Sequence, residues 1–227
     1  MRFGSIKTRI ATFSLVAIAS LISGIVTACS TQQSENLVTS TTTNASTQQM
    51  NHDGMMHNMA MDLGPVDADY DLRYIDAMTL HHLGAVDMAK DALQKAQHPQ
   101  IKRLAEDIIR TQNKEIAEMK QWRQTWYPQA GNKPMAYNSQ TAQMMEMPSD
   151  QMKSMMMNMD LGASDANFDL RFLNAMILHH EAAITMAKDA LKNSKRPRIK
   201  EVSQDVSRSQ QVEIQQMKQW RRAWYKQ

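Results

Sequence analysis

Residues 61–129 and 159–227 are two copies of one pattern, aligned without a gap at an offset of 98 positions and identical at 37 of 69 places. Any fold for this chain must therefore bury the same pattern of side chains twice. Each copy reads as two helical segments. The first is expected at roughly Asp69–Ala96 (Asn167–Ser194), opened by Asp67, or by Ser164 and Asp165, as capping residues. The second starts at Pro99 (Pro197), where proline suits a first helical turn, and runs to about Trp126 (Trp224). A short connection between two long helices makes an antiparallel hairpin. Two hairpins with apolar stripes to bury make an all-α, antiparallel four-helix bundle.

The rest of the chain organises around that duplication. Arg2, Lys7 and Arg9 flank an apolar run from Ile10 to Ala28, the pattern of a secretory signal over residues 1–28. Without those three cations the formal charge falls from +3 to zero, so the basic character belongs to the signal, and nucleic acid is not an expected partner. Cys29 ends the run IVTAC, which looks like the lipobox of a bacterial lipoprotein. The expectation is an exported protein, periplasmic or anchored to a membrane facing the periplasm through an acylated Cys29. As the only cysteine, Cys29 excludes an intramolecular disulfide or a thiolate cluster. Residues 29–66 are expected to be a Ser/Thr/Gln-rich flexible tether ending in a Met/His-rich segment. Residues 67–129 and 165–227 are the two hairpins, and 130–164 a flexible methionine-rich linker.

Helical periodicity places histidines on the core side. At 100° per residue, Met78, His82, Ala85, Ala89 and Ala92 share one wedge of the first helix with Tyr74 and Ile75. His81 and Met88 flank it, while Arg73, Asp76, Lys90 and Asp91 point elsewhere. In the second helix the stripe is Ile101, Leu104, Ile108, Gln112, Glu115, Met119, Trp122 and Trp126, and both polar interruptions persist in the other copy as Gln210 and Glu213. Counting outward from the turn near residue 98 sets His81 and His82 opposite Glu115, and Met78 opposite Met119. Two equivalent layers result: Met78, His81, His82, Glu115 and Met119, then Met176, His179, His180, Glu213 and Met217.

Burying a carboxylate and two imidazoles without partners costs several kcal/mol. Either the groups satisfy one another or a metal compensates them. Met78 and His82 are one helical turn apart and can grip one ion, whereas Met88, about 10 Å further along the axis than His81, is core packing. Thioethers suit Cu(I), imidazoles suit copper, and carboxylates suit harder ions. A di-iron bundle needs about four glutamates and paired Glu-x-x-His motifs, and these copies offer one core glutamate each. Copper, with Cu(I) preferred and Ag(I) as a mimic, is the expected ion. The segments before each hairpin add donors: His52, Met55, Met56, His57, Met59 and Met61 before the first, Met155, Met156, Met157 and Met159 before the second. Methionine also serves as an adaptable packing residue, so a greasy strap lying on the bundle is the competing reading of these segments.

The remaining conspicuous residues have plainer readings. His98 becomes Arg196 in the other copy and reads as a solvated turn residue. Trp122, Trp126, Trp220 and Trp224 read as caps on the core ends rather than cation–π partners. Asp71 and Asp169 read as serving their own helix starts. No Ser–His–Asp set or Gly-rich phosphate loop is present.

The run FDLRFLNAMILHHEAAITMAKDAL, with the later QxxEIxxMKxW, resembles the ferritin-like four-helix domain, formerly of unknown function, of CopM-type copper-binding proteins of the bacterial periplasm. The resemblance spans both repeats. It implies copper binding linked to copper resistance and no established enzymatic reaction, with copper ions as partners and a copper-efflux component or another copper chaperone as donor or recipient. The other readings are a ferritin-like redox enzyme and a structural bundle presenting a methionine-rich partner surface.

Overall fold

The computed structural model describes residues 62–227. Helices α1 (Tyr70–Lys95) and α2 (Pro99–Trp126) form one hairpin, and α4 (Phe168–Asn193) and α5 (Pro197–Tyr225) the other. Between them lie β1 (Met135–Asn138), β2 (Gln143–Glu146) and the short helix α3 (Ser149–Met156). The helix bounds fall within one residue of the sequence expectation, and both prolines open their helices. The caps differ from it. The residues at the helix N-caps are Asp69 and Asn167, and neither side chain makes a capping bond. Asp67 and Asp165 instead accept the amide N–H of those residues, each at 2.9 Å, while Ser164 donates to the Lys95 carbonyl at 2.8 Å.

The hairpins pack through α1 and α4, which run antiparallel: the Tyr70 hydroxyl at the start of α1 donates to Asp189 near the end of α4, at 2.5 Å. Large and small residues interlock across this seam. Tyr70, Tyr74 and Ile75 share a core cluster with Ala183, Ala187 and Ala190, and Phe168, Phe172 and Leu173 share one with Ala85, Ala89 and Ala92. Alanines on each helix end thus admit the bulky start of the other, and each ring removed from water contributes about 2 kcal/mol.

Each hairpin's turn is fastened to the open end of the other, and three of the plainer sequence readings are corrected here. Asp169 accepts the backbone N–H of Gln97 (3.0 Å) and of His98 (2.8 Å) and pairs with His98 Nδ1 at 2.6 Å, so it serves the opposite turn. His98 is not simply solvated: its ring stacks on Trp224 with centroids 3.9 Å apart. At the other end Arg196 pairs with Asp71 at 3.4 Å and lies over the Trp126 ring at 4.3 Å, a cation–π contact. Comparing copies one at a time could not reveal contacts made only between them.

The linker has secondary structure of its own, where the sequence suggested a flexible strap. The antiparallel β1–β2 hairpin lies against α1 and covers Arg73 and Asp76, both buried, so these residues do leave the bundle core but do not reach solvent. Arg73 donates to the Leu63 and Pro65 carbonyls, pairs with Asp67 at 2.9 Å and donates to Met144 Sδ at 3.0 Å. Asp76 pairs with Arg123 and accepts the Met135 N–H at 2.8 Å. Beyond the hairpin, α3 folds back along α1. A Cβ on Gly84 would stand 1.7 Å from the Met156 carbonyl oxygen, so only glycine permits this approach; the other copy has Ala182 at that position. No helix among the described residues is long and apolar enough to cross a membrane.

Candidate metal centre

The hairpin turn sets the register that the sequence arithmetic expected for His82, whereas His81 makes no hydrogen bond to Glu115 and packs instead on His179 of the other hairpin. His82 Nε2 lies 2.8 Å from Glu115 Oε2, and His180 Nε2 lies 2.6 Å from Glu213 Oε2. Met78 and Met119 share one core cluster and Met176 and Met217 the other, and all four are fully buried. Met88 is likewise core, only 1 % exposed.

The two layers are not separate. Because α1 and α4 cross antiparallel at the middle of the repeat, equivalent residues meet on the internal two-fold, and the rings of His81 and His179 lie 3.7 Å apart between centroids at 47°. His179 and His180 are 6.3 Å apart. All four imidazoles are at most 1 % exposed. The duplication itself carried the signal for this junction, since a repeat that pairs with itself must bring some position against its own counterpart.

Burial sets the electrostatics. Desolvation holds the His81 imidazolium well below its ordinary range, with repulsion from His179, His82 and His180 adding to the effect. His179 is pushed down to about 3, first by burial and then by His180, against an opposing hydrogen bond to the Met156 carbonyl. Both rings are neutral at pH 7 and keep a lone pair for a metal or a donor.

Satisfaction is incomplete. Both nitrogens of His81, Nδ1 of His82, His179 and His180, and Oε1 of Gln112 and Gln210 are buried without a hydrogen-bond partner among the described residues. Native interiors pair nearly all such atoms, so seven in one small region call for an explanation. Partnerless imidazole nitrogens beside buried thioethers form the donor set of a soft or borderline ion such as copper. Among the described residues no three His, Cys, Asp or Glu side chains surround one point. Histidine and methionine would have to hold an ion together.

The site has two faces. Glu115 lines a cleft of about 900 Å³ between α2 and α5, with Glu118, Trp122, Trp126, Glu201 and Asp205. On the other face lies α3, whose Met156 carbonyl accepts from His179 Nε2 at 3.1 Å. Met155 and Met157 are buried and Met156 and Met159 partly so, which brings the linker methionines onto the bundle. Met155 belongs to the same core cluster as Met78 and Met119. This burial is what the competing reading of a greasy strap on the bundle expects; the part played by Gly84 in seating α3 was not anticipated. Cys29, His52, Met55, Met56, His57, Met59 and Met61 lie outside the described residues, as do the signal and tether.

Comparison with known proteins places these features in a family. The model of the family described as a domain of unknown function, DUF305, matches residues 18–123 and 71–221. The fold matches the solved structure titled CopM in the Cu(II)-bound form, with a TM-score of 0.55, 42 % identity, and coverage of 68 % of this chain and 97 % of that one. The Cu(I)-bound and Ag-bound forms of CopM match at 40 % identity over the same shares, with TM-scores of 0.52 and 0.54. A curated relative, the uncharacterized protein L153 of Acanthamoeba polyphaga mimivirus, is 49 % identical over 49 residues, and the match spans 32 % of its length and 22 % of this chain. With both repeats matched by the family model and the helical hairpins shared with CopM, this chain belongs to the DUF305 family and is CopM-like in fold.

Proposed function

We propose that this protein binds copper in the bacterial cell envelope, sequestering or buffering it and so contributing to copper resistance. The observation that carries the reading is the layer where two hairpins meet: four buried imidazoles with five nitrogens that lack a partner among the described residues, together with the buried thioethers Met78, Met119, Met176 and Met217. The likeness to CopM, whose structures are titled as Cu(I)-, Cu(II)- and Ag-bound, supports copper as the ion. Thioether donors favour Cu(I), with Ag(I) as its mimic. The methionine-rich segments collect further ions. The protein acts by binding rather than by turnover, and the run before Cys29 directs its export and acylation.

Anaerobic titration of the protein with Cu(I) against a competing chelator, with Zn(II) and Fe(II) as controls, tests the reading. Tight Cu(I) binding that exceeds both controls supports it. Cu(I) affinity no greater than that for Fe(II) overturns it.

A further inference from the structure

Resting on the reading of the histidine layer as a copper site, we propose that Glu115, Glu213 and the Met156 carbonyl are positioning groups rather than ligands. Each accepts an Nε2–H and so presents Nδ1 of His82, His180 and His179 to the ion.

The inference follows from what each partner can do. A backbone carbonyl only accepts, so His179 Nε2 carries the hydrogen in its 3.1 Å contact with Met156. Ionised carboxylates also only accept, so Nε2 of His82 and of His180 donates to Glu115 and Glu213 at 2.8 and 2.6 Å. In all three rings the other nitrogen, Nδ1, is buried without a partner among the described residues. An Nδ1–H there would be an orphaned buried donor, which is rarer and costlier than an orphaned lone pair. Three rings thus share one tautomer and hold out the same atom. A carboxylate or carbonyl behind a ligating imidazole fixes its orientation and raises its basicity. Glu115 and Glu213 are committed to this task from the outer side of their rings.

The third acceptor comes from the linker, which ties α3 to the bundle's chemistry. Its approach depends on Gly84, whose counterpart Ala182 already fills the equivalent space with a Cβ. His81, the counterpart of His179, has no such acceptor among the described residues, and both its nitrogens stand unpaired. Three rings are thus fixed by acceptors, while the fourth, His81, is held by packing against His179.

Long-range ¹H–¹⁵N correlation on apo protein labelled at histidine reads the tautomers directly. His82, His179 and His180 should carry hydrogen on Nε2, and Cu(I) should shift their Nδ1 resonances. In Glu115→Gln the amide oxygen can still accept, so the tautomer and an affinity within about threefold of the parent should survive. Glu115→Leu should lose the tautomer preference and weaken Cu(I) binding by about 10- to 100-fold. Gly84→Ala should disturb His179 and leave His82 and His180 unchanged. Hydrogen on Nδ1 of His82 or His180, or equal loss of affinity in the Gln and Leu variants, overturns the positioning assignment. The expected tautomers with no copper-induced change at any Nδ1 overturn the copper reading on which it rests.

Discussion

His81 and His179, 98 positions apart in the chain, meet ring against ring at 3.7 Å where α1 crosses α4. Neither ring can take up a second proton at neutral pH without leaving a charge in a buried layer beside another imidazole. The contact joins two duplicated half-sites into one centre, and its cost to the apo protein is open to measurement.

Stability of the metal-free protein should fall on mild acidification because of these two rings. Their folded-state proton affinities are depressed, His179 to about 3 and His81 in the same direction. Between pH 6.5 and those values the unfolded chain binds protons that the folded chain refuses. The stabilisation is therefore complete above about pH 6.5 and is lost as pH falls, by up to about 1.4 kcal/mol per pH unit for each ring. Urea unfolding of the apo protein between pH 7.5 and 5 should show this slope, and the His81→Leu, His179→Leu double variant should lack it. An equal slope in both proteins contradicts the assignment.

Arg73 and Arg171 occupy the same repeat position and donate to equivalent carbonyls, yet the Arg73 side chain is fully buried under the linker while that of Arg171 is 35 % exposed. Arg73→Leu strands the buried Leu63 carbonyl and loses the part-buried bond to the Pro65 carbonyl, and should cost about 2–3 kcal/mol. Arg171→Leu should cost less than half as much. Chemical denaturation of the two variants side by side checks the difference, and equal losses would mean that the β1–β2 hairpin does not seal this face.

Arg196 fastens the second turn to the first hairpin through Asp71 and the face of Trp126. Arg196→Ala should cost about 1 kcal/mol, since the site is partly exposed. Tryptophan emission should change with it. An unchanged spectrum and midpoint would remove this contact from the account.

Much of this arrangement was legible in the sequence because it obeys local periodicity. Pro99 and Pro197 marked helix starts, and the short turn fixed His82 against Glu115 by residue counting alone. The missing parts depend on geometry between elements. His98, Asp71 and Asp169 each found a partner on the opposite hairpin, a choice set by the antiparallel crossing of α1 and α4 rather than by neighbours in sequence. The linker was harder still. Its methionines follow no long helical stripe, and the seat of α3 depends on the missing side chain at one position, Gly84.

Selectivity follows from the donor set. With thioethers and imidazoles in the layer and the two glutamates occupied by His82 and His180, Cu(I) and Ag(I) should bind far more tightly than Fe(II). Competition of Ag(I) and Fe(II) for the Cu(I)-loaded protein checks this. Displacement of copper by stoichiometric Fe(II) would point instead to an oxygen-rich site.

The most direct test of the histidine layer compares copper-induced thermal stabilisation in the parent with that in a variant carrying His81→Leu, His82→Leu, His179→Leu and His180→Leu. In the parent, Cu(I) at a hundredfold above its dissociation constant should add about 2.7 kcal/mol and raise the melting temperature. As apo protein the variant should melt below the parent, because it removes the partnerless nitrogens of His81 but strands Glu115 and Glu213 without His82 and His180. It should gain little from copper. A variant that keeps the full copper-induced shift would place the ion elsewhere and contradict the account.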